Sequence, residues 1–263
     1  MITFVAIMEL TNNLRKLIAS LSERKHRKKE NLFKAEGTKC VIDTLPHFNC
    51  FALLATAQWL DEHQSVISSL KKDVIIRVTP NDIKRMSSLT TPQNVIAVYE
   101  IPVFDTDVSQ LTQSLLLALD NVQDPGNLGT IIRTADWFGI THILCNKETA
   151  DVYSPKVVQA TMGAISRVRL HYCDLYQTLA QLQGSMPIYG TFLNGENLYT
   201  SKLNNHAVIV MGNEGNGISE QIASLVSHRI LIPSFNTGAE TSESLNVATA
   251  TAITVAEFCR RTL

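Results

Sequence analysis

The sequence predicts an α/β protein in two parts, a small α/β domain followed by a larger one built on a parallel sheet. Three observations predict it. Strand-length apolar runs alternate with helix-length amphipathic segments along the whole chain. In the second half two of those runs, over 115–119 and 208–211, are apolar throughout, as strands covered on both faces require. The alternation breaks once, in the polar and weakly periodic residues 101–113, where a domain boundary fits. The parts are then residues 1–106 and 107–263, and 263 residues suit two domains of ~100–200 residues each.

In the first part, Leu14, Leu17, Ile18 and Leu21 recur at helical spacing. They predict a helix over 11–24 with Thr11 as its N-cap. A Lys/Arg run follows. Strands are expected over 31–35, 51–57, 73–78 and 95–99, and helices over 39–45, 64–70 and 81–86, the last after the Thr79-Pro80 break. In the second part, strands are expected over 114–119, 142–145, 167–171, 188–192, 208–211 and 229–232. Helices are expected over 128–138, 156–164, 219–226 and 245–261. The last helix is small and apolar on one face (Val247, Ala248, Ala250, Ala252, Ile253). It must pack closely on a neighbour, and a partner subunit is one candidate.

Composition narrows the function. Apolar residues make up 45% and charged residues 18%, with a net charge of −1. This excludes a disordered chain, and it excludes a surface coated in positive charge. Any nucleic-acid contact must be a local patch. The basic run supplies one candidate in Arg27, Lys28 and Lys29, against the plain alternative of a solvated helix face. Five cysteines at wide spacings, with no C-x-x-C, suggest neither disulfides nor a zinc site. A reducing cytoplasm fits best. His26, His47, His63, His142, His171, His206 and His228 are scattered singly, so no metal is expected. The apolar run over 1–10 is too short for a membrane helix and lacks the basic front end of a signal peptide. Either Met1 or Met8 could be the start.

Three turns that follow strands carry the chemistry, because ligands of parallel sheets bind beyond the strands' carboxyl ends. The first runs from Leu119 through Asp124-Pro125-Gly126-Asn127 into a helix bearing Arg133. Asn127 is placed at or near the helix start, able to cap it or to meet a ligand. The second is Met211-Gly212-Asn213-Glu214-Gly215-Asn216-Gly217. Its glycines do not fit G-x-G-x-x-G, and no G-K-[ST] follows. A glutamate at its centre would repel phosphate, so backbone hydrogen bonds to an uncharged or cationic ligand fit better. The third joins Ile232-Pro233 to Glu243-Ser244-Leu245-Asn246-Val247 ahead of the last helix, where Glu243 and Ser244 are candidate caps.

Together these turns resemble the three motifs of the SpoU (TrmH) family of RNA 2′-O-ribose methyltransferases. Asn127, Gly129, Arg133 and Ala135 match N-x-G-x-x-x-R-x-A. Gly212, Glu214 and Gly217 match G-x-E-x-x-G. Ile232, Pro233, Ser244, Leu245, Asn246 and Val247 match I-P followed by S-L-N-V. The segment from Arg27 to Gly37 resembles the family's R-x-K-x-x-x-F-x-x-E-G opening, so the resemblance spans nearly the whole chain. Two departures stand out. The loop from Ser234 to Glu243 is several residues longer than the usual spacing, and Ala248 follows Val247 where members often have Ser.

The resemblance implies a SPOUT catalytic domain with a deep trefoil knot, preceded by an RNA-binding domain. It implies S-adenosylmethionine as methyl donor, held around Met211, Gly212, Ile232, Ser244 and Leu245. Arg133 becomes the catalytic candidate, also contacting RNA, with Asn127, Glu214, Ser244 and Asn246 shaping the reaction centre. A guanidinium stays protonated, so Arg133 is better suited to fixing a phosphate and stabilising an alkoxide than to proton abstraction. The implied substrate is rRNA, with tRNA the alternative, and the implied assembly is a homodimer through the C-terminal domain. A dehydrogenase-like nucleotide domain would need G-x-G-x-x-G in context, which is missing. A non-catalytic RNA-binding protein of this fold would have lost the arginine or S-L-N, and both are present.

Overall fold

The computed structural model describes residues 9–104, 111–236 and 243–261. The start at Met1 or Met8, the boundary at 106/107 and the middle of the loop from Ser234 to Glu243 lie outside the described residues. The chain forms two compact units, one of residues 1–103 with 151–166 and one of 104–150 with 167–263.

The first unit holds helices α1 (Asn12–Ser20), α2 (Arg24–Glu30), α3 (Thr38–Thr44), α4 (Ala57–Glu62), α5 (Gln64–Ile67) and α6 (Pro80–Met86) and strands β1 (Leu32–Glu36), β2 (Cys50–Ala55), β3 (Ile75–Arg77) and β4 (Val95–Glu100). Its sheet runs β1-β4-β2-β3, antiparallel except for the parallel β2–β3 pair. Thr11 caps α1, accepting from the Leu14 N–H. Thr79 and Asp82 form a capping box at α6, with Pro80 inside its first turn, which is why the Thr-Pro break starts a helix. Leu14, Ile18 and Leu21 pack with Leu54, Ile76, Ile83, Met86, Ile96 and Val98. Phe33 points to the opposite face, among Phe48, Tyr99 and Tyr153.

Tyr153 belongs to the 151–166 segment, whose helix α8 (Pro155–Thr161) packs against β1. The sequence reads this segment as part of the second half. Its contacts join it to the first unit.

The second unit is built on six strands: β5 (Leu115–Leu119), β6 (His142–Cys145), β7 (Arg169–Tyr172), β8 (Ile188–Asn197), β9 (Ala207–Met211) and β10 (His228–Leu231). They lie in the order β10-β8-β9-β5-β6-β7 and every pair is parallel. The helices are α7 (Pro125–Trp137), α9 (Leu175–Leu182), α10 (Glu220–Ala223) and α11 (Val247–Arg260). Leu116, Ala118, Val208 and Val210 face Leu175, Leu179, Leu182, Ile222 and Leu225 of one layer. The alternate residues Leu117, Leu119, Ile209 and Met211 are equally buried, and α7 packs against α11. The sheet is covered on both faces, which explains the unbroken apolar runs. Helices α4 and α9 are not expected from the sequence, and β8 continues five residues beyond its expected end. Among the described residues, no helix is long and apolar enough to cross a membrane.

Candidate active site

The three turns meet at the carboxyl ends of β5 and β9, which are neighbours in register, Leu119 opposite Met211. The first turn is set by Asp124. Its carboxylate caps α7 by accepting the Asn127 N–H at 2.8 Å. Asn127 is thus the third residue of the helix rather than its cap, and its side chain is released for other work. It donates from Nδ2 to Glu214 Oε1 at 2.9 Å and accepts at Oδ1 from Asn246 Nδ2, also at 2.9 Å. One chain of two amides and a carboxylate therefore links all three turns.

Each turn is held locally as well. Asn213 and Gly217 exchange backbone hydrogen bonds of 2.9 Å, and Asn213 Oδ1 accepts the N–H groups of Gly215 and Asn216. Gly212 lies so close to this closure that a Cβ would sit 2.2 Å from the Gly217 carbonyl carbon. The lack of a side chain at Gly212 serves the turn's own shape, in addition to any ligand. Asn246, and neither Glu243 nor Ser244, caps α11, accepting from Ala248 and Thr249 N–H. The cap residue and the link to Asn127 are the same side chain.

A further group escapes sequence reading. Asp120, buried at the end of β5, accepts the Ser219 N–H at 2.8 Å and Asn146 Nδ2 at 3.0 Å. Asn146 in turn accepts the Asn121 and Thr149 N–H groups. Asp120 thereby ties the turn after β9 to the turn after β6. An acidic residue ending an apolar strand is the available signal.

Arg133 is exposed on α7, and no described residue pairs with its guanidinium. Arg27 is the opposite case. It is buried, its guanidinium donating to the Leu21 and Ser22 carbonyls and to Asp151 at 2.7 Å. Lys28 and Lys29 are exposed on α2. Ser244 is exposed, and Leu245 presents 47% of its surface.

The residues fit a ligand of the expected kind. Among the described residues, no hydrogen bond uses the backbone of Gly212, Ile232 or Leu245. The buried Asn121 side-chain oxygen beside the first turn also lacks a partner. Free peptide groups next to an exposed leucine suit an adenosyl moiety, with apolar contact on a ring and hydrogen bonds on its edge. Among the described residues, no group of three His, Cys, Asp or Glu side chains is arranged to hold a metal ion.

Comparisons with known proteins identify the family and the fold. Residues 114–256 match the SpoU rRNA Methylase family, and residues 12–97 match the MRM3-like substrate binding domain. A protein assigned to the TrmH family of RNA methyltransferases from Porphyromonas gingivalis superimposes with a TM-score of 0.86 at 43% identity, covering 96% of this chain and 99% of that one. The AdoMet-bound rRNA methyltransferase of Sinorhizobium meliloti superimposes with a TM-score of 0.85 at 29% identity, covering 98% and 99%. The 23S rRNA (guanosine(2553)-2′-O)-methyltransferase of Bacillus subtilis is 28% identical over 89% of this chain and 91% of its own. The mitochondrial rRNA methyltransferase 3A of Danio rerio is 34% identical over 60% of this chain, but the match spans only 37% of that relative's length.

Proposed function

Since the chain belongs to the SpoU rRNA methylase family, we propose that it transfers a methyl group from S-adenosylmethionine to a ribose 2′-hydroxyl of rRNA, with Arg133 as the catalytic side chain. The observation that carries this is the Asn246–Asn127–Glu214 chain, which joins the three motif turns and leaves Arg133 unpaired on the same helix as Asn127.

When bound, S-adenosylmethionine supplies an electrophilic methyl on a sulfonium. The chain's own residues must do the rest. The peptide groups of Gly212, Ile232 and Leu245 hold the adenosyl part, with Met211 and Ser244 beside them. Asn127, Glu214 and Asn246 hold the turns in one geometry before the substrate arrives, so little reorganisation is needed during reaction. Arg133 fixes a phosphate of the RNA and stabilises the negative charge growing on the 2′-oxygen. It does so as a permanent cation.

For the substrate, the names of the relatives support rRNA, and a location in the cytoplasm goes with that substrate in bacterial relatives. Lys28 and Lys29 are the RNA contacts of the first unit in this reading, while Arg27 holds α2 in place. A homodimer through the second unit belongs to it too. It is supported by Trp137, 84% exposed on α7, and by the partly exposed Ala252 and Ala256 of the neighbouring α11. The trefoil knot is also part of the reading. It rests on the family membership.

The test is transfer of labelled methyl to purified rRNA and tRNA pools, with nucleoside analysis. The protein should yield a 2′-O-methylnucleoside in rRNA. Arg133→Ala should lose at least ~100-fold in rate with unchanged S-adenosylmethionine affinity. Normal turnover in that variant would remove Arg133 from the reaction.

A further inference from the structure

The amino ends of the same strands carry a second feature. A cleft of about 600 Å³ is lined by Tyr189, Lys202, Asn204, Asn205, His228, Phe258 and Arg261, with Pro187 and Leu203. It lies where β8, β9 and β10 begin. The motif turns lie at the other ends, roughly 15 Å away for strands of this length.

Its floor is aromatic. The His228 ring stacks on Tyr189 with centroids 4.7 Å apart, and Phe258 meets Tyr189 edge-on at 4.9 Å. Tyr189 and Phe258 are buried, whereas His228 is exposed, so one face of a fixed ring remains open. Ser227 Oγ holds His228 Nδ1 at 2.8 Å, and Tyr189 donates to the Lys202 carbonyl. The walls are polar and, among the described residues, lined by no carboxylate. Arg261 is committed to the Leu198, Tyr199 and Ser201 carbonyls and to Glu257. Lys202 is exposed and its ammonium pairs with no described residue, and the Asn205 side chain is equally uncommitted among them. Asn204 accepts the His206 N–H, which leaves its amide donors free.

A held ring with an open face, two amides and one free cation are what an unpaired nucleotide requires: stacking for the base, hydrogen bonds for its edge and a charge for its phosphate. We propose that this cleft is a second RNA contact of the unit, taking one unstacked nucleotide of the substrate on His228, with Asn204 and Asn205 at the base edge and Lys202 on the phosphate. The proposal rests on the RNA methyltransferase reading. It adds a grip at the end of the sheet opposite the reaction centre.

The test is fluorescence anisotropy of a labelled ten-nucleotide single-stranded RNA on the full chain across a salt series, with S-adenosylmethionine calorimetry in parallel. His228→Ala and Lys202→Glu should each weaken RNA binding at least fivefold without changing methyl-donor affinity. Lys202→Glu should also flatten the salt dependence, and His228→Phe should bind as the parent does. Should His228→Ala disturb folding, Lys202→Glu on an exposed side chain and His228→Phe still decide. Parental affinity in both Lys202→Glu and His228→Ala overturns the proposal. So does competition by 5′-AMP at micromolar concentration, which would make the occupant a free nucleotide. If the parent protein methylates RNA while these variants bind normally, only the cleft proposal falls. If the parent neither binds nor methylates RNA, the underlying reading falls with it.

Discussion

Arg27 and Arg133 both stand in family-like motifs, yet the two units use them in opposite ways. In the first unit, charge is taken inside and holds secondary structure together. Arg27 clamps the end of α1 and Asp151, and Lys34 is fully buried beside Glu36, which accepts the Ser87 hydroxyl and the Ser88 N–H. Burial pushes the Lys34 ammonium below its ordinary range, against the pull of Glu36. In the second unit, the polar groups collect at strand ends, where amides and carboxylates tie turns together and Arg133 is engaged by no described residue. A motif match fixes residue type and spacing. It does not say whether a cation faces the interior or a ligand.

The contrast can be broken most directly at Arg27. Arg27→Ala strips two carbonyls of their donor and leaves Asp151 with Arg24 at 4.0 Å and the Tyr153 N–H, and it should cost about 3 kcal/mol of stability, read as a lower urea midpoint, with RNA affinity per folded molecule unchanged. A selective loss of RNA binding with normal stability would make Arg27 a ligand contact after all.

Lys28 and Lys29 sharpen the same comparison from outside. Reversing both to Glu should weaken RNA binding about tenfold at low salt and reduce the salt slope by roughly 0.9 for each phosphate no longer neutralised, leaving the melting temperature in place.

Asn246 separates the capping role from the linking role. Asn246→Ala should lose ~1 kcal/mol with the cap and also slow methyl transfer. Asn246→Asp can restore the cap but places a carboxylate against Asn127 Oδ1, so stability should return without turnover. Recovery of both in the aspartate variant would show that the amide link is idle.

The smallest effect concerns Glu257, a buried acid of the second unit. Hydrogen bonds from Arg260 and Arg261 hold its carboxyl down at about 2. Its folded value lies below the unfolded one near 4.5, so its contribution is complete above pH 4.5 and fades as pH falls towards 2. Glu257→Gln should flatten the acid limb of the stability curve in that window and leave neutral pH behaviour of the active site alone.

Much of this is legible in the chain. Apolar runs locate β5, β6 and β9 within a residue, because a strand covered on both faces has little polar side to blur it. The turns are legible because glycine, proline and asparagine punctuate them. Helix α9 escapes although Asp174 caps it and Leu175, Leu179 and Leu182 share its buried face, since the segment is short and lies between two expected strands. The end of β8 escapes because its last residues are polar and pair with β10 only after a shift in register. The burial of Arg27 cannot be read at all, because its partner stands 124 residues further on. The sequence puts Asn127 at or near the cap, a role that Asp124 fills three residues earlier.

Because residues 151–166 attach to the first unit, that unit cannot be completed in the order in which it is synthesised. A ribosome that has released residues 1–103 has made every strand of the first sheet, yet Tyr153 and α8, which cover Phe33 and β1, are still to come. Arg27 also waits for Asp151. The N-terminal unit therefore finishes folding only after β5, α7 and β6 have left the exit tunnel. A truncation at residue 103 would yield a sheet with one face only partly covered, by α3, and a graft of this unit onto another protein would have to carry both pieces.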